Sequence, residues 1–193
     1  MKLIAFDVSS LGLPLPAGRI VVGGEARLAL WCYLNGKEWP KEYTPRDYDY
    51  LIITYEKSDP SRGIPKRGET DFIKAPSVLH YFRNIDLLTN QVAVYNDKVV
   101  TTIDCVRCFR NGTVLVNPKN KKLAFKGQSY FLFLLMRACI QTGFSIEKKE
   151  YLPRVGALKL PVAYEKEALR VSKKHWYWER YWHKMLQIAT GAH

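Results

Sequence analysis

The chain has 193 residues, of which 47% are hydrophobic and 13% aromatic, enough for one compact domain or a domain with an appendage. Its formal net charge of +12 favours polyanionic partners such as nucleic acid, nucleotides or an acidic protein, with charge for solubility alone as the alternative. No window approaches the roughly 20 apolar residues of a membrane span, and charge within residues 1–10 comes too early for a secretory signal. We therefore expect a cytoplasmic protein that does not enter a membrane.

Strand and helix patterns alternate at the start of the chain. Residues 1–10 predict a short strand, and "RIVVGG" predicts a buried strand that ends in two glycines. The next segment, "EARLALWCYLNG", has its apolar residues on one helical face and predicts a helix that ends at Gly36. A further strand is predicted in "DYDYLIITYE".

A polar and basic segment follows this strand, from Lys57 to Asp71. Its Gly and Pro content predicts a loop, either a flap that closes over a site or a solvated surface loop. If the loop contacts RNA, Lys66 and Arg67 are its candidate contacts.

The middle of the chain predicts a helix and a hairpin. "APSVLHYFRNIDLLTN" has a Ser77 cap and helical apolar spacing. "QVAVYNDKVVTTIDCVRCF" predicts a β-hairpin that turns at Asn96 and Asp97.

The hairpin segment includes one pair of cysteines, Cys105 and Cys108, without a second pair or a histidine cluster. This pair is therefore a poor zinc site. As residues of a strand the two would point to opposite faces, and we interpret them as reduced thiols.

Two helices are predicted after the hairpin. "GQSYFLFLLMRACIQTGFSIEKK" is strongly apolar and ends at Gly143, and "AYEKEALRVSKKHWYWERYWHKMLQIAT" interleaves basic and aromatic residues. The aromatic residues of the final helix either form a stacking surface for single-stranded bases or, as we favour, pack back on the domain. In both cases its basic residues are available to RNA phosphates, and the candidates are Lys173, Lys174 and Arg180.

The order of these elements predicts an α/β or α+β fold, with a small mixed sheet flanked by helices and a helical C-terminal extension. We place the domain that contains the sheet at residues 1–125 and the helical extension at residues 126–193.

The glycine turn and the strand after it carry the predicted chemistry. Gly23 and Gly24 separate a strand from a helix, so the backbone there can approach a phosphate closely. Side chains alternate between the faces of a strand, so those of Asp47 and Asp49 point to the same face of the next strand, with Cα atoms roughly 6 to 7 Å apart. Carboxylates so placed can hold the Mg²⁺ or Mn²⁺ that accompanies a nucleoside triphosphate, and two solvated acids are the alternative.

"VVGGEARLAL" followed by "PRDYDYLI" resembles the head domain of the poly(A) polymerase and CCA-adding tRNA nucleotidyltransferase family, of the DNA polymerase β-like superfamily. Three later segments are similar, in the same order, to the family's second motif, its following hairpin and its Arg-bearing neck helix. These segments are "RNIDLLTNQVAVY", "VVTTIDCVRCFRNGTVLV" and "FLFLLMRACIQTGFSI". Together the similar segments span residues 19–147.

The resemblance implies a fold of nucleotidyltransferase type and transfer of a nucleoside monophosphate from ATP or another nucleoside triphosphate to an RNA end, with tRNA as the first choice of acceptor. Asp47 and Asp49 would be the catalytic metal ligands. The other implied roles are triphosphate binding by Gly23, Gly24 and Arg27, sugar or base binding by Arg83, Asp86 and Asn90, and RNA contact by Arg137. Asp104, on an adjoining predicted strand, is the candidate third metal ligand, with a structural role as the alternative.

The sequence also departs from the family. Arg27 is followed by Leu28 where the family has Asp, and the E-D-x-x-R motif with which CCA-adding enzymes of this class select C or A is absent. Two alternatives to an active RNA nucleotidyltransferase therefore stay open. One is a degenerate relative that binds RNA, a nucleotide or a protein partner without turnover, and the other is a toxin-like transferase that modifies tRNA or protein.

Overall fold

The computed structural model of the protein describes residues 1–43, 48–56, 69–120, 134, 138, 142 and 144–146. The chain divides into two compact units, Met1–Asn111 and Gly112–His193. The boundary predicted between residues 125 and 126 falls outside the described residues. Within the described part of the chain, no helix combines the length and the apolar character needed to cross a membrane.

The first unit is built on one mixed sheet with helices beside it. Its elements in chain order are β1 (Leu3–Asp7), β2 (Ile20–Val21), α1 (Gly23–Asn35), β3 (Tyr48–Ile53), β4 (Thr70–Ala75), α2 (Val78–Asn84), β5 (Val92–Tyr95), β6 (Lys98–Thr102) and α3 (Ile103–Asn111). The six strands lie in the order β1-β6-β5-β2-β3-β4. Neighbouring strands are antiparallel except for β3 and β4, which are parallel. The predicted fold class is confirmed; the predicted final helix lies outside the described residues.

The second unit is described in part. Strand β7 (Thr113–Val114) pairs in parallel with β8 (Ser145–Ile146). Within the predicted apolar helix the described residues are Leu134, Ala138 and Thr142, and each is helical. The Thr142 hydroxyl donates to the Ala138 carbonyl at 2.7 Å, which is one helical turn back.

Helix α1 begins at the glycine turn and ends where the sequence predicts. Val22 is its N-cap in extended backbone, and Gly23 is its first residue. At the other end, Gly36 adopts the left-handed conformation, with φ of 57°, and its amide reaches the carbonyls of Cys32 and Tyr33. Because glycine adopts this conformation without steric cost, it stops the helix at residue 35.

Strand β4 was missed in the sequence interpretation, which assigned Thr70 and Asp71 to the basic loop. It runs parallel to β3 in register, with Asp49 opposite Asp71 and Ile53 opposite Ala75. β4 is the outermost strand on its side of the described sheet. An outer strand needs fewer apolar residues than a central one, so its sequence gives a weaker signal.

The hairpin prediction is confirmed at its turn and wrong at its end. Asn96 and Asp97 have φ of 44° and 58°, the left-handed pair that a tight two-residue hairpin requires. After β6, however, the chain forms α3 and does not continue as a strand. The Thr102 hydroxyl accepts from the Cys105 amide at 3.0 Å and so begins this helix.

Cys105 and Cys108 are consequently placed differently from the prediction. Both are buried on the same face of α3, where a strand would have put them on opposite faces. No disulfide joins them, in agreement with the interpretation as reduced thiols. Burial raises the pKa of Cys105 to about 12, so this thiol is neutral and unreactive at neutral pH.

Different helices cover the two faces of the sheet. Val22 and Leu51 point to the face covered by α2, where they pack in one cluster with Phe82. The opposite face includes Phe6, on which Tyr33 of α1 stacks with ring centroids 4.7 Å apart. Side chains along a strand alternate between the two faces. Asp49 is two residues before Leu51 on β3, so its side chain also points to the α2 face.

A buried polar network fixes the segment between α2 and β5. Gln91 is 0% exposed, and its side-chain amide donates to the Phe82 carbonyl at 2.9 Å. Its side-chain oxygen accepts from the Thr102 hydroxyl at 2.7 Å, and its backbone carbonyl accepts from the Thr101 hydroxyl at 2.7 Å. This network ties the end of α2 to β6 and holds residues 85–90 between them.

We expect Gln91→Leu to lower the free energy of unfolding by roughly 2 to 4 kcal/mol, because leucine leaves two buried polar groups without these partners. Urea unfolding followed by circular dichroism measures the loss. Ser77→Ala is the comparison: it removes the cap in which the Ser77 hydroxyl accepts from the His80 amide at 3.0 Å, at an exposed site, and should cost about 1 kcal/mol. A loss for Gln91→Leu no larger than for Ser77→Ala would contradict the role of the network.

Candidate nucleotide site

The glycine turn and strand β3 meet at Gly23 and Asp49. Gly23 has φ of 74°, and a Cβ atom at this residue would overlap the Asp49 carboxylate and lie 2.9 Å from its Cγ. The Val22 amide donates to the Asp49 backbone carbonyl at 2.9 Å, which fixes the turn to the strand. The absence of a side chain at residue 23 therefore lets a carboxylate lie directly on the bend from which α1 begins.

A second carboxylate, Asp71, stands beside Asp49 and was not predicted as a site residue. The two residues are register partners on the parallel strands β3 and β4, whose backbones are about 4.8 Å apart, and both side chains point to the α2 face. The signal was available in the sequence, because "DFIKA" of β4 repeats the acid, aromatic, apolar order of "DYLII" in β3. It depended on recognising residues 70–75 as a strand.

Arg27 connects the glycine-turn helix to the second predicted motif. Its guanidinium Nη1 donates to the Asn90 side-chain oxygen at 2.6 Å, although the two residues are 63 positions apart in sequence. Its Nη2 lies 4.0 Å from the position that a Cβ of Gly24 would take. The structure thus brings Gly24 and Arg27 of the first predicted motif together with Asn90 of the second.

Tyr81 of α2 lies close enough to Asp49, Asp71 and Arg27 for their charges to affect its pKa. It is 9% exposed and packs in the cluster with Leu51. Burial, with the neighbouring charge of Asp49, raises the pKa of the Tyr81 phenol far above its usual range, while Arg27 acts in the opposite direction and Asp71 adds to the rise. The charges of two carboxylates and one guanidinium therefore act on this buried phenol, which is neutral at pH 7.

The other residues of the second motif lie at the end of α2 and in the connection between α2 and β5. Arg83 is exposed in the last turn of α2, and Asp86 is half-buried just after the helix. Asn90 lies in a short 3₁₀ turn, Leu88–Asn90, next to Gln91 and its buried network. This network gives the motif a fixed backbone although it contains little regular structure.

Asp104 is on a helix and not on an adjoining strand, so that part of the prediction is wrong. It is exposed in the first turn of α3, with a carboxylate oxygen 3.5 Å from Arg107. The strand before it, β6, is three strand spacings from β3, about 14 Å across the sheet. Asp104 is instead an acidic residue in the first turn of a helix, where the helix dipole stabilises its negative charge.

Several predicted site residues lie outside the described part of the chain. They are Asp47, Lys66, Arg67, Arg137, Lys173, Lys174 and Arg180. Asp47 directly precedes the first described residue of β3.

The described carboxylates suit a hard divalent cation. Among the described residues, no group of three or more His, Cys, Asp or Glu side chains is arranged to hold a metal ion. Asp49 and Asp71 do supply two carboxylates from neighbouring strands on one face, and carboxylate oxygens are the ligands that Mg²⁺ and Mn²⁺ prefer. The donor set therefore fits Mg²⁺ or Mn²⁺, with Asp47 as the predicted further ligand.

Two solved structures that share this fold are CCA-adding enzymes. The Thermotoga maritima CCA-adding enzyme complexed with tRNA has a TM-score of 0.52 and 15% identity, over 96% of this chain and 55% of the other. A CCA-adding enzyme complexed with ATP has a TM-score of 0.51 and 14% identity, over 96% of this chain and 54% of the other. No family model and no curated protein matches the sequence.

At this level of identity the similarity defines the fold, which is of nucleotidyltransferase type. The chain spans about half the length of the structures that it matches.

Proposed function

We propose that the protein is a metal-dependent nucleotidyltransferase that transfers a nucleoside monophosphate from a nucleoside triphosphate to an RNA acceptor, with tRNA as the first candidate. The observation that carries this proposal is the Asp49 carboxylate lying on the Gly23 bend. In a nucleotidyl transfer, the metal ligand must lie beside the element that binds the triphosphate, because the reacting α-phosphate lies between them. The shared fold with CCA-adding enzymes supports the same conclusion.

The carboxylates and glycines of the candidate site have separate roles in this proposal. Asp49 and Asp71, with Asp47 from the sequence, would hold Mg²⁺ or Mn²⁺, which when bound neutralises charge on the phosphates and activates the acceptor hydroxyl. Gly23 and Gly24 give the triphosphate access to the backbone at the start of α1. The hydroxyl oxygen of the acceptor then forms a bond to the α-phosphorus as the bond to pyrophosphate breaks, and the hydroxyl proton is released to solvent.

Arg27 and the second motif complete the proposed site. Arg27 presents a guanidinium between Asn90 and the glycine turn, where it can bind the β- and γ-phosphates and retain the departing pyrophosphate. Arg83, Asp86 and Asn90 are proposed to bind the sugar or base of the nucleotide. A basic chain with a net charge of +12 would attract both substrates.

The test is transfer of label to RNA. The purified protein is incubated separately with each α-³²P-labelled nucleoside triphosphate, total tRNA and Mg²⁺ or Mn²⁺, and the products are separated by denaturing electrophoresis. Label on RNA that depends on the divalent cation is expected. Label on protein would favour the toxin-like transferase, and a mobility shift of RNA without label under any condition would favour the degenerate binding protein.

A further inference from the structure

A tyrosine that the sequence analysis did not single out lies over the glycine turn. A Cβ atom at Gly24 would be 3.3 Å from the Tyr43 hydroxyl and 4.0 Å from the Arg27 Nη2. The missing side chain of Gly24 therefore leaves a small space with a phenolic hydroxyl and a guanidinium nitrogen at its border. Tyr43 precedes Asp49 by six residues, on the connection between α1 and β3.

The Tyr43 side chain is held in this position by its own segment. Its ring meets the Trp39 ring edge-on, with centroids 5.4 Å apart and an interplanar angle of 83°. Its amide donates to the Pro40 carbonyl at 3.1 Å, which closes a turn. The phenol is half-buried, and edge-on aromatic packing restricts the ring while the hydroxyl points to the glycine turn.

A phenol and a guanidinium are both hydrogen-bond donors suited to phosphate oxygens. A phenol is a neutral donor at pH 7, and a hydrogen bond from it to a phosphate oxygen is strengthened by the charge of the acceptor. Arg27 supplies a positive charge at the border of the same space, with Nη1 donating to Asn90 and Nη2 4.0 Å from the position of a Gly24 Cβ. One donor from each residue could thus reach the same phosphate group across the glycine.

We propose that Tyr43 is a nucleotide-binding residue whose hydroxyl donates to the triphosphate at Gly24, where Arg27 also approaches. This inference rests on the proposed function and assigns one more contact to the same site. The contact is to the phosphates and not to the base, since the hydroxyl borders the glycine turn.

Tyr43→Phe tests the proposal by removing the hydroxyl and keeping the ring on Trp39. The dissociation constants of each nucleoside triphosphate and of inorganic triphosphate are measured by isothermal titration calorimetry with Mg²⁺ present. We expect both kinds of ligand to bind about 10-fold more weakly to Tyr43→Phe, as for loss of a hydrogen bond to a charged group, with an unchanged melting temperature. Tyr33→Phe is the matched control: it removes the hydroxyl of an exposed tyrosine near the other end of α1 and should leave both constants unchanged.

The outcomes separate this inference from the proposed function. Equal affinities of wild type and Tyr43→Phe would overturn the role of Tyr43 and leave the proposed function standing. A weakening seen with nucleoside triphosphates and not with inorganic triphosphate would overturn the assignment to the phosphates. If wild type binds none of these ligands, both proposals fail. Gly24→Ala provides a second variant, because its methyl group would occupy the space that Tyr43 and Arg27 border and should also weaken binding of inorganic triphosphate.

Discussion

Asp49→Asn is expected to lower the rate of nucleotide transfer by at least about 1,000-fold, equivalent to about 4 kcal/mol of lost transition-state stabilisation. Asparagine has nearly the size of aspartate, so its side chain can still lie on Gly23. The hydrogen bond from the Val22 amide to the backbone carbonyl of residue 49 is unaffected. The substitution removes a negative charge that the proposed metal site requires, since a neutral amide is a weaker ligand for Mg²⁺. Single-turnover transfer of label to tRNA measures the effect.

The control for Asp49→Asn is Asp97→Asn. Asp97 is an exposed carboxylate in the turn of the β5–β6 hairpin, with φ of 58°, a conformation that asparagine adopts readily. It should transfer label at the wild-type rate. Binding of Mn²⁺ followed by electron paramagnetic resonance gives a second readout, in which Asp49→Asn binds more weakly and Asp97→Asn is unchanged. Retention of more than a tenth of the wild-type transfer rate by Asp49→Asn would refute the role of this carboxylate.

Asp71→Asn tests whether the proposed cation site uses Asp49 alone or both Asp49 and Asp71. If Asp71 contributes to the same cation site, its loss should also weaken Mn²⁺ binding and lower transfer by about 10- to 100-fold, a smaller effect because Asp49 remains on the glycine turn. Transfer and Mn²⁺ affinity equal to those of wild type would leave Asp71 as a strand residue without a part in the chemistry.

The elements that the sequence predicted well are those whose ends depend on local chemistry. Gly36 ends α1, Ser77 caps α2, and Asn96 and Asp97 turn the hairpin, and each of these residues acts within a few positions of itself. The order of strand, glycine turn, helix and acidic strand also pointed to Gly23 and Asp49 as residues of one site. Their contact depends on the antiparallel pairing of β2 with β3, which places the end of β2 beside the start of β3.

The parts that could not be predicted depend on tertiary position. Residues 103–109 are rich in β-branched, aromatic and cysteine side chains, a composition that favours a strand, although the buried residues of α3 follow the spacing of one helical face. Asp104 was consequently assigned to a strand. Asp71 and Tyr43 were missed because one lies on an unrecognised outer strand and the other approaches Gly24 only through folding of the chain between α1 and β3.

Gly23→Ala is expected to reduce transfer by about 100-fold or more, through displacement of a carboxylate and not through loss of a functional group. Alanine at residue 23 must keep φ near 74°, at a cost of roughly 1 to 2 kcal/mol, and its Cβ would overlap the Asp49 carboxylate. Asp49 lies on β3 in register with β4, so its backbone cannot retreat and the side chain must rotate away. A displacement of about 1 Å at a reacting centre is enough to lose 100-fold in rate.

Gly18→Ala isolates the backbone contribution to this result. Gly18 has φ of 73°, nearly that of Gly23, but nothing lies within 4 Å of the position that its Cβ would take. Both variants should therefore lose about 1 to 2 kcal/mol in urea unfolding from the strained φ, and Gly23→Ala should lose more in total because its Cβ also displaces the Asp49 side chain. Only Gly23→Ala should also lose transfer and Mn²⁺ affinity. If both glycine variants keep the wild-type transfer rate, the contact between the glycine turn and Asp49 has no part in catalysis. If both lose transfer equally, the loss belongs to the strained backbone, and the close approach of carboxylate and glycine does not explain it.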